Sequence, residues 1–195
     1  MTLNNKILVI VAGLVSGYLS VNFPRNFDTH LAAFFYFPLL EWLFVFPGLL
    51  FAIAGCLCFN LIYKQIHWPK YLAWTAVSIL AYNAAYWATF WLVLALGGSG
   101  GGERYMYVEP GAYAAFFVGG FVGAFLVMLG LRWFIFKLSF RQIVSLSLWG
   151  GALGLSGLLP GQGESFLYLF LIWQAGMLFL IMQTAEPYFI AEAPI

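Results

Sequence analysis

The chain has 195 residues, of which 8% are charged and 64% hydrophobic, and its formal net charge is +1. An ordinary soluble domain carries roughly a quarter charged residues, so a water-soluble fold is excluded, and so near-neutral a chain has no basic patch to track phosphates, which excludes nucleic acid as a partner. The few charges stand in short gaps between long apolar stretches, and stretches of about 20 apolar residues read as membrane spans. The sequence therefore predicts an all-α, polytopic integral membrane bundle of about six transmembrane helices with short loops, a single transmembrane domain over 1–195, with the lipid bilayer as its main partner.

The first span is expected over 7–21. Lys6 and the short apolar run after it have the outline of a secretory signal, but Tyr18 and Leu19 crowd the region where a cleavage motif wants small residues, so it reads as an uncleaved span. It ends at Asn22-Phe23-Pro24-Arg25-Asn26. Apolar sequence then runs from Leu31 to Tyr63, which as one helix would reach about 50 Å against a hydrocarbon core of about 30 Å. Pro38, Glu41 and Pro47 are the candidate interruptions, and the expected arrangement is an interfacial or partly inserted segment over 31–40 followed by a span over 42–63. Cys56 and Cys58, two apart on that helix, point to different faces and read as small packing residues.

Later spans are expected over 71–96, 112–136, 143–159 and 166–184. Gly97 to Gly102, reading Gly-Gly-Ser-Gly-Gly-Gly, is a flexible linker, and Pro160-Gly161-Gln162-Gly163 makes a tight turn joining the last two spans as a hairpin. Basic residues resist translocation whereas acidic ones matter little. One side would hold Lys6, Lys64, Lys70, Arg132, Lys137 and Arg141 and the other only Arg25 and Arg104, so the chain is expected in the plasma (inner) membrane with both termini cytoplasmic. Trp68, Tyr71, Trp74, Tyr105, Tyr107, Trp133 and Tyr188 fall near span ends, where amphipathic rings anchor at the headgroups.

Small residues recur at helical spacing, which lets backbones approach where lipid supplies no hydrophobic drive. Gly13 and Gly17 mark the first span, Gly119 and Gly123 the fourth, and Gly150, Gly154 and Gly157 the fifth. These are the expected helix-packing positions, inside the bundle or against partner subunits or a second copy.

The third span carries Thr75, Ser78, Tyr82, Tyr86 and Thr89 on one helical face, with Asn83 beside them. Gln174 lies near the middle of the sixth span. Amides in hydrocarbon need partners, so one expectation is an interhelical hydrogen bond between Asn83 and Gln174. The functional alternative is a polar cavity in which Tyr82, Asn83, Tyr86 and Gln174 bind a small molecule. Glu41 joins these candidates conditionally: a helix beginning near Leu31 would bury it about 15 Å deep, where an ionisable group is functional by default, whereas a span beginning near Trp42 leaves it at the outer interface.

No catalytic, metal or cofactor site is expected. His30 and His67 fall on opposite membrane sides and cannot share a haem or zinc ion, and no pair of carboxylates is embedded. Gly154-Leu155-Ser156-Gly157 resembles the GxSG serine motif of rhomboid intramembrane proteases, which needs a histidine on a later span, yet no histidine follows residue 67. In size and span count the chain is similar to the substrate-binding subunits of energy-coupling-factor vitamin transporters, which lack an ATPase and dock through small residues of the first span. The function expected from the polar stripe is binding or translocation of a small neutral or aromatic solute. The alternatives are a non-catalytic accessory subunit of a larger membrane complex and, third, an intramembrane enzyme.

Overall fold

The computed structural model describes residues 1–25, 42–63, 68–96, 110–159 and 165–191. Glu41, the segment over 31–40 and the Gly97 to Gly102 linker lie outside the described residues. Among the described residues six α-helices follow in order: α1 (Leu3–Arg25), α2 (Trp42–Tyr63), α3 (Trp68–Ala95), α4 (Pro110–Phe134), α5 (Phe140–Gly154) and α6 (Ser165–Ala191). The bundle is all-helical. Its helices are long and apolar, and in lipid only the helix satisfies every backbone group within one segment.

Five helices are individually long and apolar enough to cross a membrane. The exception is α5, whose 15 residues reach about 22 Å. A 3-10 turn, Leu155–Leu158, continues it without a break and adds about 8 Å, which brings the pair to the thickness of a hydrocarbon core. The start of α5 is fixed by a reciprocal cap: Ser139 accepts a hydrogen bond from the Gln142 backbone and the Gln142 side chain accepts one from the Ser139 backbone, as the Ser-Phe-Arg-Gln order allows.

Each helix packs antiparallel on its neighbour in the chain, and α6 returns to pack on α1, closing a ring; α2 also touches α6. Glycines set several of these seams. A Cβ at Gly17 would lie 2.8 Å from the Leu171 backbone, one at Gly13 would meet the Ala175 backbone, and Gly120 of α4 approaches Gly150 and Gly154 of α5. Gly119 and Gly123 face Ala85 of α3. The small residues of α1 are thus spent on α6 within the bundle, whereas docking through them, as the transporter-subunit likeness implies, needs them outward. Ile7, Val11, Val15 and Tyr18 form the exposed face of α1 instead.

The two ends of the ring differ. At the end holding Met1 the interior holds a cluster of rings: Phe59 and Phe136 stand 6.1 Å apart, and Tyr63 stacks on Phe189 at 4.6 Å. Tyr63 donates to the Met182 carbonyl at 3.0 Å and Tyr188 to Gln142 Oε1 at 3.2 Å, while the Met1 amine pairs with Glu186. The other end is hollow.

Candidate functional site

The hollow is a cavity of about 110 Å³ lined by α3, α4 and α6. From α3 it takes Tyr82, Ala85, Tyr86, Thr89 and Phe90; from α4, Phe116, Gly119, Gly120 and Gly123; from α6, Leu169, Phe170 and Trp173. Positions 82, 85, 86 and 89 follow the three-to-four-residue rhythm of one helical face, which is why the polar stripe arrives at a single place. Counted back from Ala95, the α3 lining lies between about 8 and 20 Å below the end of its helix, in the half of the bundle away from Met1.

Two kinds of wall meet. On one side Gly119, Gly120, Gly123 and Ala85 present nearly bare backbone. Thr89 turns its hydroxyl onto the Ala85 carbonyl at 2.9 Å, and a Cβ at Gly119 would collide with that hydroxyl. Facing them are rings held by one another. Tyr82 meets Trp173 edge-on at 5.3 Å and Phe170 in a stacked arrangement at 6.1 Å, and Tyr86 stacks on Phe90 at 5.9 Å. The Trp173 indole is fixed further by donating Nε1–H to the Gly150 carbonyl at 3.0 Å. No charged side chain lines the cavity among the described residues.

The same face of α3 carries an unusual set of polar atoms. Tyr71 Oη, Trp74 Nε1, Ser78 Oγ and Tyr82 Oη are buried and make no hydrogen bond among the described residues. Each such group costs about 1–3 kcal/mol relative to a satisfied one. Of the four, only Tyr82 belongs to the cavity wall. It is 6% exposed, and the Gln174 side chain lies beside its hydroxyl without reaching hydrogen-bond geometry.

Gln174 itself is engaged elsewhere, which corrects the expected pairing with Asn83. Its Oε1 accepts from Ser16 Oγ at 2.5 Å, and its Nε2 donates to Ser20 Oγ at 3.0 Å and to the Pro47 carbonyl at 3.4 Å. Gln174 therefore clamps α6 to α1 and α2. Asn83 donates to the Ile79 carbonyl of its own helix at 3.1 Å. Of the candidate binding residues, Tyr82 and Tyr86 line the cavity, while Asn83 and Gln174 do not. Of the glycines, Gly119 and Gly123 line it, and Gly13, Gly17, Gly150, Gly154 and Gly157 pack against other helices or rings of the bundle.

Leu169, Phe170 and Trp173 were not singled out by sequence, because three apolar residues in an apolar helix carry no distinguishing pattern. Ser156, in the serine-motif match, donates to the Leu153 carbonyl at 2.6 Å, and no histidine lies among the described residues. No cluster of metal-ligating side chains occurs among them either.

No family model, curated protein or solved structure matches the chain. What fold and composition define is a multi-pass helical membrane protein.

Proposed function

We propose that this protein binds or translocates a small, uncharged solute from the cavity between α3, α4 and α6. One observation carries the reading: Tyr82, Tyr86 and Thr89 of the α3 stripe and the glycine seam of α4 converge on the same cavity. Had the stripe faced a helix surface, a purely structural role would account for it. A charged solute is disfavoured because no described residue of the lining would compensate an ion in a medium of low dielectric. The chain contains no Walker sequence and, among the described residues, the lining holds no acid to carry a proton, so uphill transport would need a partner or an ion gradient.

The reading places the protein in the plasma (inner) membrane with both termini cytoplasmic. Lys6, Lys70, Arg132, Lys137 and Arg141 all stand at the Met1 end of the bundle and, among the described residues, only Arg25 stands at the other, which supports that orientation. The cavity then belongs to the outer half. The accessory-subunit alternative draws less support, since Gly119 and Gly123 are occupied by α3 rather than presented outward.

The test is native mass spectrometry of the tagged chain, released gently from its own membrane. A retained small molecule on a lone chain supports the proposal. Stoichiometric partner proteins with no solute would replace it with the subunit reading.

A further inference from the structure

We infer that the connection between α4 and α5, at the Met1 end of the bundle, is a headgroup site for an anionic phospholipid, formed by Lys137 and Arg141 with Arg132 beside them. It lies at the opposite end of the bundle from the cavity and does not depend on what the cavity binds.

Residues 132–141 read Arg-Trp-Phe-Ile-Phe-Lys-Leu-Ser-Phe-Arg, which interleaves three cations with aromatic rings and includes no acid. The fold sorts these residues by side. Phe136 and Leu138 are buried, and Phe136 packs against Tyr188 at 5.4 Å and Phe59 at 6.1 Å. The connection is thus anchored on both sides of Lys137, which is left exposed. Ser139 then caps α5, so Arg141 falls in the first turn of that helix, also exposed. Arg132 is exposed in the last turn of α4. Since α4 and α5 are packed neighbours joined only by residues 135–139, the three cations share one end of one helix pair.

Their charge is not compensated from within. Among the described residues Glu186 is the one acid, and it pairs with the Met1 amine. None of the three cations makes an ion pair among those residues. Nor does helix stability account for Lys137 and Arg141: the start of a helix favours negative charge over positive, yet the first turn of α5 holds no acid. The bias of basic residues toward one side of a membrane asks for cations somewhere at this end. It does not ask for them to be gathered at one connection without a carboxylate. An anion supplied from outside the chain would balance them.

The neighbouring rings identify that anion as a lipid. Trp133 and Phe140 are 68% and 63% exposed, and exposed rings at the ends of spans settle at the level of the headgroups. Cations set among them meet lipid phosphates, which Lys and Arg hold by charge-assisted hydrogen bonds, and basic clusters just outside a span attract anionic lipids.

The experiment is native mass spectrometry of the purified full chain in detergent, titrated with phosphatidylglycerol and phosphatidylcholine of identical acyl chains. The wild type is compared with Lys137→Gln/Arg141→Gln and with Lys6→Gln/Lys70→Gln, which removes the same charge from the same end of the bundle. Each Lys or Arg near an anionic surface is worth about fivefold in affinity, so the first double variant should bind phosphatidylglycerol about 25-fold more weakly, while the second stays within about twofold of the wild type. Phosphatidylcholine binding should not change in either. Equal binding of the two lipids by the wild type would overturn the inference, and that comparison stands even if a variant misfolds. Equal losses in the two double variants would also overturn it, in favour of a diffuse field. Displacement of phosphatidylglycerol by millimolar inorganic phosphate, but not by sodium chloride of the same ionic strength, would overturn the lipid in favour of a soluble anion.

Discussion

Gln174 and Ser78 are both fully buried polar side chains, and removing them should change stability in opposite directions. Gln174→Leu keeps the side-chain volume close to its original value, so the cost is the lost hydrogen bonding and not a cavity. Two bonds at 3.0 Å or less disappear, with a longer one to the Pro47 carbonyl. Within membranes such bonds average about 0.6 kcal/mol and reach about 1.7, which gives an expected loss of about 1 to 3 kcal/mol. Ser20 keeps its bond to the Ser16 carbonyl at 2.7 Å, so the damage falls on Ser16, on the Pro47 carbonyl and on the contacts of α6 with α1 and α2. Ser78 Oγ has no bond to lose among the described residues. Ser78→Ala should therefore be neutral or stabilising by up to about 1 kcal/mol, below the usual penalty for an orphaned group because the unfolded chain in lipid also finds partners. Equilibrium unfolding of the reconstituted protein by steric trapping would measure both. Wild-type stability in Gln174→Leu, or equal damage from Ser78→Ala, would refute the assignment of one residue as a clamp and the other as an unsatisfied group.

In the same assay Gly120→Val should cost about 2 to 3 kcal/mol, as overpacking does, because Gly150 and Gly154 of α5 leave no room for a side chain there; a loss under about 0.5 kcal/mol would mean the α4–α5 seam is looser than described. Ser139→Ala removes the cap of α5 and should cost about 1 kcal/mol while leaving solute binding intact, measured by unfolding and binding side by side. With Cys56 and Cys58 replaced by Ala, Lys137→Cys should react with an impermeant thiol reagent only after cells are opened. Labelling from outside intact cells would invert the proposed orientation. Lys137 serves better than Ser139 for this purpose, since a cysteine at Ser139 would disturb the cap.

The helices were readable because lipid imposes one rule on every segment, whereas the tightening of the last turn of the 143–159 span to 3-10 geometry left no mark in its apolar pattern. The α3 stripe of Tyr82, Tyr86 and Thr89 was legible from its spacing alone. Its counterpart on α6 was not: Phe170 and Trp173 acquire meaning only from the register that sets them opposite Tyr82. The partner of Gln174 was missed for the same reason. Two amides at mid-span look complementary on paper, but which helices adjoin is fixed by the order of the ring, and that order gives Gln174 to Ser16 and Ser20, far away in the chain. Glycine spacing likewise announced close approach without saying to what.

The order of the ring also bears on how the protein is made. Since every helix up to α6 rests on the one inserted just before it, each can settle against its predecessor as it leaves the ribosome, and the growing structure remains an open arc until the last helix arrives. The Ser16–Gln174 bond, across 158 positions of chain, is formed only at that moment. Until then the serines of α1 wait in the bilayer without their amide, and a chain stopped before residue 165 would hold its first five helices in sequence yet expose the seam that α6 is built to cover.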